Sequence, residues 1–166
     1  KVHIQEAFMV RHALQWKDAR ARVKKGEIGD VRAMQVWFSY FNTDPTNVRN
    51  MVDIGGGGLL DIGCYPIAVS RYIFGTDPIR AAATIDYDPK FKTDRLAGGI
   101  LEFPGGRHLT FTCSMQLAPW QRVQIFGTKG RIDGTLYYLG NHRLIHEQGR
   151  CSDALEAQLA ALEEQG

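Results

Sequence analysis

The chain has 166 residues, 44% of them hydrophobic, and 20 basic against 18 acidic side chains for a formal net charge of +2. That length and apolar content suit one domain with its own core, while the near balance of charge argues against a nucleic-acid partner. Three cysteines, Cys64, Cys113 and Cys151, form no Cys-x-x-Cys pair and suggest a reducing compartment over a disulfide framework, and no apolar run is expected to reach the roughly 20 residues of a membrane span.

An extended segment is expected at 2–10. A helix follows at 14–25, with Leu14, Ala19 and Val23 as a narrow apolar stripe and Gly26 as its stop. The dense basic patch Arg20 to Lys25 reads as the solvated face of that helix. Residues 31–41, rich in aromatic and β-branched side chains, alternate as a long strand. Residues 42–58 read as a long loop, and loops of that length are usually functional or disordered; the functional reading is preferred.

The loop ends in Gly55-Gly-Gly-Gly58, and an amphipathic stretch at 59–74 carries Asp61 and Tyr65 four residues apart. On a helix that spacing places both on one face. A carboxylate and a phenol side by side can hold a hydroxyl group and move its proton. Each also has a plainer explanation: glycines make tight turns, an acid suits a helix N-terminus by about 0.3–1 kcal/mol, and a tyrosine can be a core aromatic. Pro66 is expected to kink or restart the helix, or else to sit harmlessly near its start.

Strands are expected at 79–87, 95–103, 107–116 and 120–127, with Pro104-Gly105-Gly106 as a turn, and a closing helix at 152–164. Successive strands with short turns imply a mostly antiparallel sheet with the helices gathered on one face, an α+β domain. Its outer face is expected to carry Phe111, Cys113, Met115, Val123 and Ile125. His142 and His146 have the spacing of a helical metal pair, but the residues between them read as well as an irregular strand, and no metal is expected. Cys64 lacks an identifiable base and reads as a small buried thiol; His12 and Trp16 either line a cleft or flank the first helix.

Several segments, in order, carry a resemblance: Glu6 to Arg11, Asp44 to Asn50, Asp61 to Ile67, Arg71 to Gly75, Leu101 to Gly106 and Val123 to Arg131. Together they resemble the C-terminal domain of the Gfo/Idh/MocA oxidoreductases, in the branch of glucose-fructose oxidoreductases, aldose dehydrogenases and dihydrodiol dehydrogenases, where a tyrosine stands at the position of Tyr65. The resemblance implies an open sheet like the C-terminal domain of glyceraldehyde-3-phosphate dehydrogenase, and face-to-face pairing of sheets in a homodimer or homotetramer. It implies that residues 1–166 are one substrate-binding and oligomerisation domain. The chain opens on Lys1, with no Gly-x-Gly-x-x-Gly on a strand-to-helix turn, so the dinucleotide-binding domain and its lysine are expected to lie outside it.

For the site, the resemblance implies Tyr65 as proton donor or acceptor, Asp61 as catalytic partner and substrate ligand, Gly57 and Gly58 lining the substrate, and Arg11 near substrate and cofactor. A free tyrosine has a pKa of about 10, so a neighbouring cation is needed to favour its phenolate. The expectation is the domain of an NAD- or NADP-dependent oxidoreductase acting on a sugar or polyol, cytoplasmic unless the parent is exported, with no cofactor held by this chain alone and no activity alone. A non-catalytic ligand-binding or assembly module is the alternative. The segment between Arg131 and the closing helix looks shortened relative to the family.

Overall fold

The computed structural model describes residues 2–4 and 8–134. The expected closing helix, His142, His146 and Cys151 lie outside those residues. Met9–Arg11 forms a single 3-10 turn where an extended segment was expected. Helix α1 spans Leu14–Lys24 and ends where Gly26 takes a φ of 73°, the left-handed conformation that terminates a helix at little cost for glycine. Its apolar stripe starts at Trp16 and not at Leu14. Trp16 and Ala19 are buried, Val23 packs against the core, and Leu14 is 82% exposed.

Strand β1 is Val31–Phe41, β2 Arg80–Tyr87, β3 Asp94–Phe103, β4 Arg107–Ser114, β5 Gln116–Gly127 and β6 Arg131–Gly134. They form one sheet in the order β2-β3-β4-β1-β5-β6. The sheet is mixed: β1 and β4 run parallel, and every other neighbouring pair is antiparallel. The parallel pair arises because β4 and β5 are not a hairpin. Met115 carries the chain across the end of β1, where Asn42 N donates to its carbonyl at 2.8 Å, and β5 starts at once on the other side, with Gln116 opposite Phe41. Strand β6, which the sequence reading did not include, pairs Ile132 with Ile125.

Helix α2 spans Cys64–Phe74 and follows a π-helical turn at Leu59–Gly63. The irregularity expected at Pro66 therefore lies just before it. Pro66 sits in the first turn of α2, directly after the π turn, so the widened register absorbs the amide that proline lacks. From Val52 to Phe74 the helical segments reach the length and apolarity of a membrane span, contrary to expectation. Glycines at positive φ at 55 and 57 break that stretch, and Ile62, Val69, Ile73 and Phe74 are buried in the core.

One face of the sheet meets the helices. Met34, Val36 and Phe38 of β1 lie opposite Leu109, Phe111 and Cys113 of β4, and beside Val123 and Ile125 of β5. Trp16 and Ala19 of α1 lie over Val123, Ile125 and Ile132, while Phe74 of α2 packs on Phe103 at 4.7 Å between ring centroids. This corrects the expected outer face: Phe111, Cys113, Met115, Val123 and Ile125 point inward and are buried. The uncovered face carries Gln35, Trp37, Thr110, Thr112, Trp120, Arg122 and Gln124 around a shallow hollow of about 260 Å³. Alternation shows two sets of residues; the apolar set goes under the helices because burial there removes it from water.

Leu109 is fully buried at the centre of this layer. Leu109→Ala is expected to destabilise the domain by about 2–5 kcal/mol, lowering the urea midpoint at unchanged slope, whereas Thr112→Ala on the open face should shift it little.

Candidate functional site

The site forms where the inward end of β1, the 42–58 loop and the π turn converge. Successive inward residues of β1 are Met34, Val36, Phe38 and Tyr40, and only the last, half-buried, presents a polar tip. The Tyr40 hydroxyl donates to Asp61 Oδ2 at 2.5 Å, and Arg49 Nε donates to Asp61 Oδ1 at 2.7 Å. Burial, then the hydrogen bond to Asp61, pushes the Tyr40 hydroxyl far above the usual tyrosine range, so it stays a proton donor to the carboxylate.

Arg49 is held by a hydrogen-bonded loop. Asp44 Oδ1 accepts from both the amide and the hydroxyl of Thr46, and those bonds hold its carboxyl below the usual range. The Asn47 side chain caps the next 3-10 turn by accepting from Arg49 N at 3.1 Å, and the buried Asn50 amide donates to Asn42 Oδ1 and to the Asp44 carbonyl. Asp44 to Asn50 is thus a hydrogen-bonded turn that carries the Arg49 side chain.

The glycines have a specific structural occupation. A Cβ on Gly56 would lie 2.6 Å from the Arg49 carbonyl oxygen, and one on Gly57, whose φ is 135°, would lie 2.0 Å from Asp94 Oδ1. Asp94, the first residue of β3, sends its carboxylate to the start of the π turn, where Leu59 N donates to Oδ2 at 2.6 Å. It works as a helix N-cap supplied from another strand, satisfying amides that a helix start leaves open. Burial raises the Asp94 carboxyl, and the amide donors oppose that shift.

Tyr65 lies in the first turn of α2, half-buried, its ring stacked on Phe8 at 5.0 Å and tilted against Phe38 at 5.9 Å. Burial is the main reason its hydroxyl is raised above the ordinary value; Cys64 and Asp61 add to the shift and Arg49 opposes it. The neighbouring Cys64 thiol donates to the Asp61 carbonyl at 3.5 Å. Cys113, deeper in the core, is pushed up to about 12 by burial and is no thiolate.

Asp61 and Tyr65 thus lie one turn apart on the same helical segment, Asp61 held by Tyr40 and Arg49 and Tyr65 by Phe8 and Phe38. Gly57 and Gly58 lie buried beneath that segment, against Asp94. Arg11 stands apart: its guanidinium lies 5.7 Å from the Tyr72 ring centre, a ring it shares with Arg20 at 4.2 Å, about two helical turns along α2 from Tyr65. Trp16 is core and His12 is exposed. Sequence reasoning assigns no site role to Tyr40, Arg49, Phe8 or Asp94. The parity of β1 was a signal for Tyr40, since it places a phenol on the inward face; nothing local marks Asp94. Among the described residues, no cluster of His, Cys, Asp and Glu could hold a metal.

A model of the GFO/IDH/MocA C-terminal domain matches residues 16–133. The chain belongs to that family. It is 48% identical over 129 residues to an uncharacterized oxidoreductase, ORF334, of Rhizobium meliloti, a match covering 78% of this chain and 39% of the relative. Against trans-1,2-dihydrobenzene-1,2-diol dehydrogenase of Bos taurus it is 30% identical over 127 residues, covering 75% of this chain and 37% of that protein. Among solved structures, an aldose-aldose oxidoreductase from Caulobacter crescentus complexed with glycerol superposes with a TM-score of 0.72 at 25% identity, covering 81% of this chain and 42% of the other. A 3-ketoreductase from Actinomadura kijaniata, in complex with NADP and TDP-benzene, gives a TM-score of 0.72 at 25% identity, covering 80% and 41%. The chain spans about two fifths of the length of the relatives it matches.

In this GFO/IDH/MocA domain the glycine run is required by what surrounds it. Gly57→Ala should lose about 3 kcal/mol from strain and the collision with Asp94. Gly105→Ala, also at positive φ but with open space around it, should lose about 1 kcal/mol. Thermal unfolding of the two variants side by side checks the difference.

Proposed function

We propose that this chain is the substrate-binding half of an NAD(P)-dependent oxidoreductase that moves a hydride between a nicotinamide and a carbinol carbon of a sugar or related polyol. The observation that carries the reading is the clamped Asp61 carboxylate beside the half-buried Tyr65 phenol, inside a family match that covers most of the chain. The relatives' names, a dihydrodiol dehydrogenase and an aldose-aldose oxidoreductase among them, point to hydroxylated substrates.

The residues present fit one part of such a cofactor's surroundings. Asp61 and Tyr65 can serve the reacting hydroxyl next to a nicotinamide, but the glycine run follows a loop and packs on Asp94, with no open cradle for a pyrophosphate. A separate dinucleotide-binding domain is therefore part of the proposal, and the chain alone is expected to be inactive because cofactor and substrate must be held together. The cofactor, when bound, supplies or accepts the hydride. Tyr65 holds the proton of the reacting hydroxyl: its raised pKa keeps the phenol protonated at neutral pH, ready to donate when a carbonyl is reduced. In the oxidative direction the same oxygen receives the proton once a cation has lowered that pKa. Asp61 accepts a hydrogen bond from a second substrate hydroxyl and orients the ring or chain. Gly57 and Gly58 act on the substrate indirectly, by letting Asp94 fix the π turn. Arg11 has a role at the substrate or cofactor only if the missing domain brings them to the α2 surface beside Tyr72.

Pairing of two copies through the uncovered sheet face belongs to the same reading, supported by the exposed rings of Trp37 and Trp120 and by Ile100 on that face. Trp120→Glu is then expected to shift the molar mass measured by light scattering toward the monomer.

The deciding experiment follows nicotinamide absorbance in the full-length protein across aldoses, inositols and dihydrodiols. Turnover in the full-length protein and none in this chain is the expected result. Tyr65→Phe should lower kcat by about 10²–10⁴-fold with the fold intact. Absence of both turnover and NAD(P)H binding would favour a non-catalytic ligand-binding or assembly module.

A further inference from the structure

Among the described residues, every arginine but two either pairs with a carboxylate or, in Arg107, donates to the carbonyl oxygens of Pro104 and Phe74. The two left over, Arg11 and Arg20, stand together. Their guanidinium carbons lie 5.7 Å and 4.2 Å from the centre of one ring, that of Tyr72. Three elements meet there: Arg11 comes from the 3-10 turn, Arg20 from α1 and Tyr72 from α2.

Two like charges gathered on one ring repel each other, and a bound anion would relieve that cost. The stacking also sets their orientation. A guanidinium over an aromatic ring keeps the N–H donors around its edge free, so each of these forks is ordered in advance and lacks an acceptor among the described residues. The surroundings add to the positive field. Exposed Lys17 and Lys24 lie one turn to either side of Arg20 on α1, while Asp18, two residues before Arg20, projects from another face.

A carboxylate ligand would answer only one of the two charges. A phosphoryl group carries about −1.5 to −2 at neutral pH and presents several acceptor oxygens, which matches two forks. The place is close to the candidate reaction site. Tyr72 follows Tyr65 by seven residues on the same face of α2, roughly 10 Å along the axis. Arg11 lies in the turn that follows Phe8, the ring stacked on Tyr65.

We propose that Arg11, Arg20 and Tyr72 form a binding site for a phosphoryl group carried by the substrate or the cofactor of the adjoining Tyr65 site. Tyr72 is the platform, and the two guanidiniums do the binding. The site stands on geometry and charge; its use in turnover rests on the oxidoreductase reading.

The test is calorimetric titration of the full-length protein with inorganic phosphate in low-salt buffer. Binding is expected to weaken at least about tenfold in Arg11→Gln and in Arg20→Gln, the loss typical of a charge-assisted hydrogen bond. Arg80→Gln, which removes the same charge from the Arg80–Glu102 pair elsewhere on the surface, should leave it unchanged. Arg20→Lys keeps the charge without the fork and should fall between. Native near-UV circular dichroism establishes folding, and if one glutamine variant does not fold the other decides alone. Absence of phosphate binding, or binding that the folded variants retain in full, overturns the proposal; so does acetate bound as tightly as phosphate. Competition then names the source. Displacement by a hexose phosphate and not by the neutral hexose assigns the group to the substrate, displacement by NAD(P) assigns it to the cofactor, and displacement by neither overturns its place in the Tyr65 site. The titration needs no turnover. Phosphate binding in a protein that turns over no carbinol would sink the oxidoreductase reading and leave the anion site standing, whereas turnover without phosphate binding sinks the proposal alone.

Discussion

The contact on which the rest depends is the Asp94 carboxylate at the head of the π turn. It joins two layers that sequence separates: the first residue of β3, in the sheet, and the Leu59 amide, where the site-bearing helical segment begins. A carboxylate placed against open helix amides is favourable both as a hydrogen bond and against the helix dipole. Burial works in the other direction and raises its pKa. The carboxylate can approach that closely because residue 57 has no side chain, and residue 58 leaves it room as well. The glycine run is in this sense the imprint of Asp94 and of the Arg49 carbonyl, left in the sequence as missing Cβ atoms.

That constraint explains which parts of the domain were legible beforehand. Local rules sufficed for α1 with its glycine stop, for β1 with its alternating aromatics, and for the loop-to-helix segment, because each is decided by neighbours within a few residues. The order of strands was not local. Nothing in Ser114-Met115-Gln116 says that β1 lies between the two strands it joins; that follows from Met115 crossing the end of β1. Pairing across such distances is set by tertiary packing, which overrides strand propensity. The facing of the sheet failed for a related reason. Alternation alone offers the apolar residues to an oligomer surface, whereas the nearer partner, the pair of helices, takes them first.

The site was half legible. The spacing of Asp61 and Tyr65 puts the two residues one turn apart on a single helical segment, which begins as a π turn. Their partners come from elsewhere: Tyr40 twenty-one residues earlier, Arg49 twelve earlier, and Phe8 from the segment before α1. A carboxylate's neighbours determine whether it holds a charge or passes a proton, and neighbours are what a one-dimensional pattern lacks.

The π turn itself completes the argument. In a π register the Asp61 carbonyl would look to the amide of residue 66, and residue 66 is proline, which has none. The Cys64 thiol takes that carbonyl instead, at 3.5 Å. Sulfur is a weak donor; the Asp61 amide donates to the Gly57 carbonyl at 3.0 Å, so the backbone is held through its amide while the side chain is gripped from outside. Asp94 fixes the start of the turn, Pro66 and the regular turns of α2 fix its end, and Tyr40 and Arg49 hold the side chain between them. Clamped at both ends and at the carboxylate, the turn becomes a place where an acid can be set at a chosen angle to a phenol, which a straight α-helix with the same spacing would not adjust.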